Sequence, residues 1–192
     1  MKVFLTSQQK AGTYLAANLL EQFNLKNPHL HFEAVKNSKW RYQKYDIENI
    51  EDARRNPANY THYLDNPLRN LRSIVPGDGF AVGHIPYSVD NRQILDPFKR
   101  IVMMRPIEEC KESMRRWREL SGKLTLLNEK LWWDVGDWKH DRETFQLWFS
   151  DITDGRVGRI DALQKHLFGR VICNSEHAIN AALEKDSITK NR

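Results

Sequence analysis

Lys10, Gly12 and Thr13 stand where the chain changes its period. The apolar run Val3-Phe4-Leu5 gives way to polar residues, and apolar positions then recur at helical spacing through Leu15, Ala16, Leu19, Leu20 and Phe23. A strand, a polar turn and a helix start present unpaired backbone N–H groups at the positive end of a helix dipole. Lys10 adds a full charge beside them. The chemistry this suits is the holding of an anion, phosphate or sulfate. Two more polar groups follow apolar runs in the same way. His84 ends Phe80-Ala81-Val82-Gly83, and Arg105 ends Ile101-Val102-Met103-Met104, with Pro106 opening a segment that carries Ser113.

These groups need elements that bring them to one place. Leu30, Phe32 and Ala34 alternate with polar residues as a second strand would, whereas residues 40–45 are aromatic and basic without a clear period. Residues 47–74 read as mainly helical, interrupted at Pro57 and Pro67, and so as a cover rather than part of a sheet. Pro76-Gly77-Asp78-Gly79 is a turn leading into the strand that ends at His84. Pro106 fits the first turn of a helix over residues 108–120, with Glu108 and Glu109 complementing its dipole. A strand is expected over 144–149 and helices over 157–168 and 175–184. Strands alternating with helices predict an α/β domain with a mainly parallel sheet. In such sheets ligands gather at the C-terminal ends of the strands, where Lys10, His84 and Arg105 all fall.

The 192 residues, 40% of them hydrophobic, are expected to form one domain over 1–192 with a single substantial core. No apolar stretch approaches the roughly 20 residues of a membrane span, and only three apolar residues follow Met1-Lys2, short of a signal peptide. The expected localisation is cytoplasmic. Cys110 and Cys173 lie in no metal-binding pattern and read as reduced thiols; no metal site is expected. The net charge of +5 is spread along the chain, which suits a polyanionic small molecule as well as nucleic acid.

The first loop is not a Walker A motif, because GxxxxGK followed by Ser or Thr is absent and Lys10 precedes its glycine. Lys10-Ala11-Gly12-Thr13 instead resembles the phosphosulfate loop of sulfotransferases that use 3′-phosphoadenosine 5′-phosphosulfate (PAPS). Ile101-Val102-Met103-Met104-Arg105-Pro106, with Ser113 eight residues after the arginine, is similar to that family's 3′-phosphate motif. Gly83-His84-Ile85-Pro86 resembles its strand-end histidine motif, and residues 145–153 with the helix to Phe168-Gly169 resemble its later strand and helix. The resemblance covers about residues 2–170. It implies a three-layer, P-loop NTPase-like sulfotransferase fold and transfer of a sulfuryl group from PAPS, without a metal, to a hydroxyl or amine acceptor. It further implies that His84 accepts the acceptor's proton and that Lys10 joins it in catalysis. Lys10 and the N–H groups of Ala11, Gly12 and Thr13, with the Thr13 hydroxyl, would stabilise the departing 5′-phosphate. Tyr14 belongs to the same nucleotide-binding set, and Arg105 and Ser113 would hold the 3′-phosphate. Nucleic acid is then not the expected partner.

The chain departs from the family at three places. Leu15 stands where relatives carry a Trp that stacks on adenine, and Val82 where some carry a Lys before the histidine. Gly136-Asp137-Trp138-Lys139 matches part of a C-terminal family motif but in the wrong chain order. Each motif also has a plain structural reading. Lys10 and Thr13 suit a solvated turn and helix cap, Arg105 an ion pair with Glu108 or Glu109, and His84 a hydrogen-bonded residue at a proline turn. Most of Trp117, Trp132, Trp133, Trp138 and Trp148 are expected in the core, and Arg115, Arg116 and Arg118 on a solvated helix face. The alternatives are a non-catalytic nucleotide- or nucleic-acid-binding module and, less favoured, a nucleotide kinase.

Overall fold

Strongly apolar strands flanked by amphipathic helices need cover on both faces, and the chain supplies it. The structure, a computed structural model, describes residues 1–34, 40–44, 57–122 and 126–190. Seven strands form one sheet: β1 (Lys2–Ser7), β2 (Leu30–Ala34), β3 (Trp40–Lys44), β4 (Thr61–Leu64), β5 (Gly79–His84), β6 (Lys99–Met104) and β7 (Thr144–Trp148). Their order is β4-β3-β2-β5-β1-β6-β7, with β2, β5, β1, β6 and β7 parallel and β3 and β4 added antiparallel. On one face Val3, Leu5, Val82 and Met103 pack with the helices Thr13–Gln22, Val157–Phe168 and Ser175–Lys190. On the other, Phe4, Phe32, Trp40, Ala81 and Val102 meet Leu71, Ile94, Leu95 and Val135 from the helices Pro67–Ile74, Val89–Leu95 and Glu129–Gly136. The result is three layers of α/β type with β1 at the centre of the five parallel strands.

Several expectations change. Residues 47–74 are not only a cover: Pro57 lies in a short 3-10 turn, and Thr61–Leu64 pairs with β3 as an edge strand before the helix Pro67–Ile74 begins. Residues 45–56 lie outside the described residues. Residues 40–44 are a strand with period two, sending Trp40 and Tyr42 to the second core and Arg41 and Gln43 to the other face. Phe149 does not end β7 but opens the helix Phe149–Thr153, and the last helix runs to Lys190. The helices Val89–Leu95 and Glu129–Gly136 had no counterpart in the sequence pattern. None of the described helices is long and apolar enough to cross a membrane.

Candidate functional site

β1 ends at Ser7, and the next residues turn sharply into a helix. Lys10 and Gly12 both have positive φ, 62° and 97°, and the helix Thr13–Gln22 begins with Gly12 as its cap residue but no side-chain cap. The first helical hydrogen bond runs from the Ala16 N–H to the Gly12 carbonyl, so the donors of Thr13, Tyr14 and Leu15 precede the helical ladder. Ala11 does not join them: its N–H donates to the Gln8 carbonyl at 3.1 Å and closes the turn. The expected donor set therefore shifts toward the helix start. Gly12 has a second constraint, because a Cβ there would come within 2.6 Å of the Phe149 ring.

Phe149 carries the other cationic group. The Arg105 guanidinium lies 4.0 Å above the Phe149 ring, its Nε donates to Glu109 at 2.9 Å, and Nη1 donates to the Lys10 carbonyl at 3.4 Å. The ion pair with Glu109 is the plain reading of Arg105, and it coexists with contact to the loop. The Arg105 backbone N–H donates to Gln8 Oε1 at 3.1 Å, while Gln8 Nε2 donates to the Trp132 carbonyl, so buried Gln8 ties the two strand ends together. Ser113 lies on the helix Ile107–Ser121, one turn after Glu109 and one turn before Trp117. It thus sits between the residue that pairs with Arg105 and the residue that carries Lys10. The Lys10 ammonium is 4.3 Å from the Trp117 ring centre, and burial lowers its pKa. Tyr14 is 59% exposed at the loop's edge, whereas Leu15 is buried in the core and offers no stacking surface.

His84 reaches the same loop from β5. Its Nδ1 lies 2.7 Å from the Ser7 carbonyl and 3.3 Å from the Ser7 hydroxyl. A carbonyl only accepts, so Nδ1 carries the proton and Nε2 is left with its lone pair. The Ser7 hydroxyl then donates to Thr13 Oγ1, 2.6 Å away, which leaves the Thr13 proton to point onward. The segment after His84 is fixed by Thr6 Oγ1, which bonds both the N–H and the carbonyl of Ile85, and by Trp138 Nε1, which donates to the same carbonyl at 2.8 Å. The Gly136–Lys139 stretch therefore acts structurally, in support of the histidine turn. Burial holds His84 below its ordinary pKa, and His31, packed edge-on to it with ring centres 4.8 Å apart, is pushed down to about 3. The pair is neutral at pH 7.

That burial predicts a pH dependence. Below about pH 6.5 the unfolded chain takes up protons on these histidines that the folded chain refuses, so the unfolded state binds more. Stability is greatest above that pH and falls as the pH drops toward about 3. Urea midpoints at about pH 7.5 and about pH 5 should show this loss. His31→Phe should flatten the difference, and a slope of unchanged size in that variant would contradict the assignment.

The expected ion pair of Arg105 with Glu109 is present. Sequence reasoning missed Ser7, Gln8 and Phe149, which act through long-range contacts, and placed Trp117 only in the core. Only two of the five tryptophans expected mainly in the core, Trp132 and Trp138, are buried; Trp133 and Trp148 are exposed, and Trp117 packs against Lys10. Arg115 and Arg116 pair with Glu112 on an exposed face, as expected. Both cysteines are free thiols, and no cluster of metal-ligand type occurs among the described residues. The arrangement is a helix start without a side-chain cap, flanked by two cations and a neutral imidazole whose lone pair is not consumed by its positioning bond. No protein-family model matches the chain, and no curated protein matches it either.

Proposed function

We propose that the chain is a sulfotransferase with a P-loop NTPase-like fold, moving a sulfuryl group from PAPS to an acceptor hydroxyl or amine. The observation that carries this reading is the Ser7 carbonyl bond to His84 Nδ1, which leaves the Nε2 lone pair uncommitted on a histidine held against the strand end that leads into the Lys10–Thr13 turn. In the reaction His84 Nε2 takes the acceptor proton as the acceptor oxygen or nitrogen bonds to sulfur. The bond from sulfur to the 5′-phosphate oxygen breaks, and that oxygen keeps the electron pair. Thr13, the helix-start N–H groups and Lys10 stabilise the resulting charge, a role that fixed donors perform without reorganisation. Arg105 and Ser113 hold the 3′-phosphate, which ATP lacks.

Purified protein incubated with labelled PAPS and an acceptor panel should yield adenosine 3′,5′-bisphosphate and a labelled product. Absence of PAPS binding by the wild-type protein would overturn the reading, and binding without transfer would favour the non-catalytic alternative. Arg105→Ala should weaken adenosine 3′,5′-bisphosphate about 10- to 100-fold, the loss of a charge-assisted bond, with little effect on ATP. Thermal shifts with the two nucleotides read this directly.

A further inference from the structure

The sheet register extends the site in one direction. Parallel pairing sets Glu33 of β2 beside His84, and antiparallel pairing sets Arg41 beside Glu33 and Tyr63 beside Arg41. Paired residues share a face, so Glu33, Arg41 and Tyr63 continue from His84 as one row across the C-terminal end of the sheet. The adjoining row on that face is His31, Gln43 and Thr61. The opposite face of the same three strands is apolar, with Phe32, Trp40 and Leu64 buried. The polar row is accessible: the Glu33 and Arg41 side chains are 40% and 42% exposed, and Tyr63 is 68% exposed.

Its chemistry is specific. Arg41 directs both Nε, at 2.7 Å, and Nη2 to Oε2 of Glu33. Among the described residues Glu33 Oε1 accepts no bond and is open to a donor. A further anionic group on an acceptor would meet the Glu33 carboxylate beside the reacting centre. An ammonium held there would stay protonated and have no lone pair to attack sulfur. An apolar acceptor would strip water from a carboxylate and a guanidinium without replacing their hydrogen bonds, which is costly. A neutral molecule rich in hydroxyls has none of these faults.

We infer that the acceptor lies along this row and is a neutral polyhydroxylated molecule, an oligosaccharide in chemical class. One hydroxyl faces His84 Nε2, its neighbour donates to Glu33 Oε1, and Tyr63 supports the next unit. This inference rests on the sulfuryl-transfer reading above.

Calorimetry with adenosine 3′,5′-bisphosphate and label transfer from PAPS separate the two. The acceptor probes are a panel of neutral di- and trisaccharides, trigalacturonic acid, a glucosamine trimer and 4-nitrophenol. The neutral saccharides should be labelled in preference to the other three. Glu33→Ala should raise saccharide KM at least tenfold with nucleotide affinity unchanged, and Glu33→Gln should recover part of that loss. Tyr63→Ala, at an exposed position that folding tolerates, should raise KM about threefold. If the wild type binds no nucleotide, the functional reading itself falls. If it binds but labels no neutral saccharide, prefers another probe, or keeps its KM in both Glu33→Ala and Tyr63→Ala, the acceptor inference alone is overturned.

Discussion

His84→Ala should lower turnover about 10²- to 10⁴-fold, the usual contribution of a positioned base, while leaving nucleotide affinity within about twofold. The asymmetry follows from the geometry. His84 contacts the loop only through Ser7, whose hydroxyl keeps its partner in Thr13 when the imidazole is removed. The N–H groups at the helix start therefore keep their places. His84→Gln tests the same point without opening a cavity, since it retains a donor for the Ser7 carbonyl but supplies no base. Because burial lowers the pKa of His84, the wild-type rate should stay level from about pH 8 down to about pH 6.5 and decline only below it. Single-turnover transfer rates beside calorimetric affinities provide the check. Equal loss of affinity and rate would make the histidine a structural residue.

Gly12→Ala should be the most damaging small substitution in the loop. At a φ of 97° an L side chain is strained, at a typical cost of about 1–3 kcal/mol. The added Cβ also meets Phe149 at 2.6 Å, and overpacking of that kind costs about 1–3 kcal/mol more. Phe149 cannot retreat freely, because its ring supports the Arg105 guanidinium. The variant should therefore lose about 2–6 kcal/mol of stability and bind adenosine 3′,5′-bisphosphate poorly. Pairing it with Phe149→Ala should relieve the steric part but not the backbone strain. Denaturant midpoints of the two single variants and the double variant would show this as non-additivity. Strict additivity would mean that the ring and the glycine do not meet.

The legible parts of the site were those written in local order. The change from a strand period to a helix period located the Lys10–Thr13 turn, and apolar runs followed by His84 and Arg105 located two further strand ends. The spacing of eight between Arg105 and Ser113 also has local meaning. It carries Ser113 onto the helix face shared by Glu109 and Trp117. What could not be read depends on residues far apart in the chain. Phe149 meets Gly12 only because β7 lies beside β6 and β6 beside β1. The Ser7 carbonyl meets His84 through the β1–β5 pairing. The antiparallel strands β3 and β4 were obscured for another reason: one face carries mixed polar and aromatic residues, so their period-two signal was hidden by composition.

β1 precedes the other strands in the sequence, yet in the sheet it lies inside, between β5 and β6. Its partners arrive late: Gly79–His84 and Lys99–Met104 complete its two edges, Trp132 anchors Gln8, and Phe149 closes over Gly12. Pairings of such long sequence separation must close large loops of chain before they gain any stability. A nascent chain that has already made the Lys10–Thr13 segment therefore cannot complete that turn until Phe149, far along the sequence, has followed, and the strand that carries the turn waits as an unpaired, aggregation-prone edge in the meantime.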